Sequence, residues 1–145
     1  MWSRTIVALC VLTASSAPAL ADREAGRDVF FSAGCIACHS IECNRDGPKL
    51  GGVIGRRAGS VSDYASYSDE MKSSNIIWTE EALDAYLANP AAFIPGNGMA
   101  SSAGNLEDEG QRRDLIDFLK EPDNCWGRGP RGRCFCGSGR TRGVL

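Results

Sequence analysis

The sequence predicts an all-α domain of about four to five short helices joined by long loops. Apolar residues recur at helical spacing in three separate stretches, no run alternates apolar and polar residues as a half-buried strand does, and glycine- and proline-rich segments separate the stretches. A first helix is expected from Asp22 to Ser32, with Ala25, Val29 and Phe30 on one side and Gly34 stopping it. Gly47 to Gly59 holds five glycines in thirteen residues, plus Pro48, and reads as a loop. Ser68 suits the N-cap of a short helix running through Asp69 and Glu70 to about Ser74. Thr79 caps a clearer one, where Glu80 and Glu81 favour the positive end and Leu83, Tyr86 and Leu87 share a face. That helix should end before Pro90, which cannot continue the ladder. Pro95 to Asn105 is loop again. Asn105 should begin the last helix, carrying Asp108–Arg112 and Glu109–Arg113 at i,i+4 and the apolar Leu115, Ile116, Phe118 and Leu119, with Pro122 ending it.

A chain of 145 residues with 43% hydrophobic and 23% charged residues leaves room for one globular domain and is unlike a disordered protein. Its formal charge of −2 hides two opposed segments. Residues 22–123 contain 18 acidic and 10 basic side chains, whereas residues 124–145 contain five arginines and no acid. An acidic body argues against a nucleic-acid partner, because phosphate binding needs a basic face. Residues 1–21 have the layout of a secretory signal: Arg4, an apolar run, and small residues at Ala19 and Ala21. No other apolar run approaches spanning length. The expected mature protein starts at Asp22 and is exported, soluble and monomeric, with no membrane span after signal cleavage.

Export changes how the cysteines read. Six remain after residue 21: Cys35, Cys38, Cys43, Cys125, Cys134 and Cys136. An even count outside the cytosol ordinarily suggests disulfides. Cys35-Ile36-Ala37-Cys38-His39 resists that reading, since C-x-x-C-H is the attachment motif of c-type haem and His39 is the single histidine of the chain. Two thiols at this spacing reach two vinyl groups on one porphyrin edge, and the adjacent imidazole lies under the iron. A dithiol oxidoreductase would need a βαβ pattern that is not visible, and a four-cysteine zinc site with Cys134 and Cys136 would need a better second pair than C-x-C. One haem also supplies the large apolar group that short helices and long loops lack. With one histidine, the second axial ligand falls to Met71 or Met99. Met71 sits inside a short helix, where packing is its ordinary role, while Met99 stands in a loop sixty residues after His39, free to come round the other haem face; Met99 is the expected ligand.

From Gly26 to Lys120 the chain resembles the class I c-type cytochromes, the family of mitochondrial cytochrome c and its bacterial periplasmic relatives. The residues that carry the resemblance are Gly26 and Phe30, CIACH, GPKLGGVIGRRAG, YS-x-x-M-K, IIW, LDAYLANP, IPGNGM and RRDLIDFLK, in the family order and near its spacing. The resemblance implies the cytochrome c fold, in which the first and last helices cross, wrapped around one haem c held by Cys35 and Cys38, with iron ligated by His39 and Met99. The Pro48 carbonyl would accept from the free ring nitrogen of His39. Arg56, Tyr67 and Trp78 match positions that hydrogen-bond or shield the haem propionates, Tyr86 would sit beside the Met99 sulfur, and Asn97 stands where threonine is common, with similar propionate contact. The chain departs from mitochondrial cytochrome c in a shorter stretch between His39 and Pro48 that includes Cys43, in Ala-Ser-Ser after Met99, and in lacking a lysine ring.

A haem with both axial positions filled carries single electrons rather than binding peroxide or oxygen. The expectation is a periplasmic electron-transfer protein, not an enzyme, shuttling between respiratory or photosynthetic complexes or dehydrogenases. If Met99 were not a ligand, a five-coordinate peroxidase or gas-binding protein would be the alternative. Its acidic surface predicts redox partners with basic docking surfaces. The last 22 residues, with six glycines, five arginines and three cysteines, are expected to form a disordered tail.

Overall fold

The structure is a computed structural model and describes residues 18–120. The expected tail at 124–145 and most of the expected signal at 1–21 lie outside the described residues. Among the described residues six helices follow one another: α1 (Pro18–Ser32), α2 (Cys35–Cys38), α3 (Asp69–Ser73), α4 (Glu80–Ala88), α5 (Pro90–Phe93) and α6 (Glu109–Lys120). No strand occurs among the described residues, and the single isolated bridge pairs Arg57 with Ile77. The all-α expectation holds. Two one-turn helices, α2 and α5, are additions, since a single turn is too short to leave a periodic signature.

Crossing of α1 over α6 sets the frame. Gly26 is required at the crossing: a Cβ there would lie 1.9 Å from the Asp114 carbonyl oxygen and 2.7 Å from the Phe118 Cβ. The backbones can therefore approach closely, and Phe30 meets Phe118 with ring centroids 5.8 Å apart. Phe30 and Leu115 are each only 1% exposed. Burial of a side chain of that size contributes about 1.5–3 kcal/mol.

Capping residues define α3 and α4 as their sequences predict. The Ser68 hydroxyl accepts from the Met71 amide at 3.2 Å, and the Thr79 hydroxyl accepts from the Ala82 amide at 3.1 Å. Three boundaries differ from expectation. α1 already includes Pro18, the first described residue, ahead of the expected start at Asp22. Pro90 does end α4 but also opens α5, because Asn89 caps the new turn by accepting from the Ala92 amide at 3.0 Å. α6 begins at Glu109 rather than Asn105. The residues ahead of it are held out of the helix: the Leu106 amide donates to the Leu87 carbonyl at 3.0 Å, and Arg112 binds the carbonyls of Leu106 and Glu107 at 2.9 and 2.8 Å. Arg112, paired in the sequence reading with Asp108, instead meets Asp84 of α4 at 2.7 Å. Asp108 caps α6 by accepting from the Gln111 amide at 2.8 Å.

The loop between α2 and α3 folds back on itself. Leu50 and Gly51 amides donate to the carbonyls of Ser40 and Ile41, both at 2.8 Å, and Trp78 pairs with Arg56 backbone to backbone at 2.9 Å. Against the buried cluster lean half-buried apolar side chains, among them Ile36, Leu50, Ile54, Met71, Phe93 and Met99. Among the described residues no helix is long and apolar enough to cross a membrane.

Candidate functional site

α2 is one turn long and carries both expected attachment cysteines. Gly34, at φ 78°, takes the left-handed conformation that lets the chain leave α1 and start again, and the His39 amide donates to the Cys35 carbonyl at 2.9 Å. A three-residue spacing within that turn puts Cys35 and Cys38 on one face. Both are free thiols, and burial pushes the Cys35 thiol up from its ordinary pKa, keeping it protonated. Arg45 donates to the Ile36 carbonyl at 2.9 Å and so holds the short turn from outside, a role that spacing in the sequence does not disclose.

His39 leaves the helix in extended conformation, at φ −115° and ψ 157°. Its Nδ1 lies 2.7 Å from the Pro48 carbonyl oxygen, which can only accept, so Nδ1 carries the hydrogen and Nε2 keeps its lone pair. Burial lowers the imidazole pKa, with the Pro48 bond acting in the opposite direction, and the ring is neutral at pH 7. Gly47 is the floor under it: a Cβ at Gly47 would fall 2.4 Å from the ring Cε1 and 2.8 Å from Nε2. The Gly-Pro pair signals a turn in the sequence, but the need for glycine there comes from the ring packed on it.

From Pro48 a continuous run of contacts leads to Met99. Arg56 donates to the Lys49 carbonyl at 2.8 Å and to that of Gly51 at 3.0 Å, and burial lowers its pKa while Tyr67 favours its charge. Burial raises the Tyr67 phenol, which packs edge-on against Tyr64 at 4.8 Å. Trp78, hydrogen-bonded through its backbone to Arg56, lies 4.9 Å from the ring of Tyr86 and stacks on Phe93 at 6.5 Å. Tyr86 donates its hydroxyl to Asn97 Oδ1 at 2.8 Å, and burial pushes the phenol far above its ordinary pKa. Asn97 Oδ1 also accepts from the Met99 amide at 3.0 Å. Its Nδ2 donates to the carbonyls of Pro90 and Ile94 at 2.7 and 2.6 Å. Both amide hydrogens of Asn97 are thus committed to the polypeptide, so the side chain does not stand ready for the propionate contact expected of it.

Cys43 is disulfide-bonded. The other two described cysteines, Cys35 and Cys38, are free thiols. Among the described residues no three His, Cys, Asp or Glu side chains gather as a metal site. The donor set instead comprises one imidazole with an available Nε2, two thiols on one helical face, two thioethers and a rim of half-covered apolar side chains. These fit a flat apolar group with an iron at its centre.

A family model for cytochrome c matches residues 23–122. The chain belongs to the cytochrome c family. It is 41% identical over 122 residues to cytochrome c2 of Blastochloris viridis, covering 81% of this chain and 92% of that one. With cytochrome c of Tetrahymena pyriformis the identity is 46% over 100 residues, covering 68% and 87%. The structure of cytochrome cH from Methylobacterium extorquens superposes with a TM-score of 0.63 at 37% identity, covering 68% of this chain and 97% of that one. As a cytochrome c, the protein binds one covalent haem c with its iron and is a small electron carrier, not an enzyme.

Proposed function

We propose that this cytochrome is a soluble, monomeric periplasmic carrier of single electrons, in which thioethers from Cys35 and Cys38 hold the haem and His39 and Met99 ligate its iron. The observation that carries this reading is the His39–Pro48 hydrogen bond, which fixes the imidazole tautomer so that Nε2 is the atom free to bind a metal. Bound haem supplies a one-electron change at its iron. Residues of this chain do the rest. Gly47 and Pro48 orient the imidazole; Trp78 and Tyr86 keep the interior apolar, which favours the ferrous state and raises the reduction potential. Arg56, half-buried and held by two carbonyls, is a fixed cation suited to a propionate, with Tyr67 beside it.

In this reading residues 1–21 are removed on export and residues 22–123 form the cytochrome domain. Electron donors and acceptors would be respiratory or photosynthetic complexes or dehydrogenases that present basic surfaces to the acidic domain.

Two substitutions in the holoprotein test the ligand. Met99→Ala should abolish the weak near-infrared sulfur-to-iron band, lower the reduction potential and let carbon monoxide bind, with the haem still attached through Cys35 and Cys38. Met71→Ala should keep the band and lower stability by less than about 2 kcal/mol through lost packing, since that side chain is only partly buried. The opposite result would make Met71 the ligand. No change in either variant would remove His/Met ligation and restore the five-coordinate alternative.

A further inference from the structure

We propose that Asn97 is a positioning residue for Met99: it fastens the turn that carries the thioether to α4 and α5, and thereby sets how readily other ligands displace it. This rests on the reading of Met99 as an iron ligand. Asn97 is 3% exposed, and every hydrogen-bonding position of its amide is used. Oδ1 accepts from the Tyr86 hydroxyl of α4 and from the amides of Met99 and Ala100, and Nδ2 donates to the carbonyls of Pro90 in α5 and Ile94 just after it. The pattern defines the amide orientation, since a flipped side chain would set NH2 against two backbone donors and oxygen against two carbonyls.

Apart from that side chain, one backbone bond ties the turn to the end of α5, from the Asn97 amide to the Ile94 carbonyl at 3.1 Å. Gly96 needs its positive φ of 84°, and the space beside Gly98 is open, with nothing within 4 Å of where a Cβ would stand. Bonds made by Ser101 and Ser102 to the Gly98 carbonyl, both at 3.2 Å, stay within the turn. The next backbone bond to α4 comes only at Leu106. One side chain therefore joins the Met99 and Ala100 amides to two helices. Its removal leaves the Met99 amide without its partner and the Ala100 amide with only the Asn97 backbone carbonyl, at 3.2 Å, which raises the fraction of molecules in which the thioether is away from its bound position.

The experiment titrates the ferric holoprotein with imidazole and follows the near-infrared band. Apparent affinity rises in proportion to the population from which the thioether has departed, so Asn97→Ala should bind imidazole roughly tenfold tighter or more. Asn97→Ser, which keeps an acceptor but cannot bridge, should fall between Ala and wild type, and it carries the test if the alanine variant does not fold. Ser101→Ala, which removes a bond internal to the turn, should stay within about twofold of wild type. Unchanged imidazole affinity in the Asn97 variants, even with a lower thermal midpoint, would mean that Asn97 serves stability alone and would overturn the proposal. So would an equal rise in Ser101→Ala. Met99→Ala measured alongside separates the two claims: retention of its band would refute the ligand reading itself.

Discussion

Gly47→Ala should be among the most damaging single-methyl additions in this cytochrome. A Cβ at that position would sit 2.4 Å from His39 Cε1, 2.7 Å from Nδ1 and 2.8 Å from Nε2. Ordinary carbon contacts begin near 3.5 Å, so the ring or the backbone must give way by about 1 Å. Neither has an easy route. The ring is held through Nδ1 by the Pro48 carbonyl at 2.7 Å, and the Gly47 amide donates to the Cys38 carbonyl, also at 2.7 Å. Overpacking of this kind costs about 1–3 kcal/mol and loss of one hydrogen bond about 1 kcal/mol more. The sum, about 2–4 kcal/mol, corresponds to a fall in Tm on the order of 10 °C or more for a domain of this size. Thermal melts of the oxidised holoprotein by far-ultraviolet circular dichroism measure it. Gly104→Ala is the control: nothing lies within 4 Å of its Cβ position and its φ is not positive, so its Tm should stay within about 2 °C of wild type or rise. A Gly47→Ala protein that melts within about 3 °C of wild type, with an unchanged visible spectrum, would refute the claim that the glycine is there for the ring.

Two further outcomes follow from charge. Arg112→Met keeps the apolar stem but loses the contacts to Asp84 and to the carbonyls of Leu106 and Glu107, so Tm should drop clearly; Arg113→Met, at a side chain 70% exposed and 3.9 Å from Asp114, should change it little. Equal effects in thermal melts would show that burial of the guanidinium is not what matters. Electron transfer to the native acceptor, followed by stopped flow at low protein concentration, should slow as salt rises, because ions screen attraction between an acidic carrier and a basic partner over about 10 Å at 0.1 M. A rate that climbs with ionic strength would contradict the proposed complementarity.

Local chemistry was legible before folding. Ser68 and Thr79 announce helix starts because a hydroxyl satisfies an amide two or three residues away, and both do so in the structure. Apolar spacing at Leu115, Ile116, Phe118 and Leu119 identified a buried face, and all four are buried. C-x-x-C-H named the cofactor because attachment needs only five consecutive residues. The resemblance led correctly to the family, since its motifs extend over most of the domain.

What sequence alone could not determine depends on partners distant along the chain. Nothing near Asn105 forbids a helix; bonds from Leu106 to Leu87, and from Arg112 to the carbonyls ahead of α6, delay it to Glu109. Asn97 reads as a polar loop residue with a side chain to spare for a propionate, yet Tyr86, Pro90 and Ile94 surround it and turn the amide inward. Likewise Gly47 is one of five glycines in its loop, and only the imidazole stacked on it marks it as indispensable. Hydrogen-bond capacity and steric tolerance belong to each residue, and sequence reports them. Which groups exhaust that capacity is decided when the chain closes, because a buried polar group takes whatever partner the packed helices bring within 3 Å.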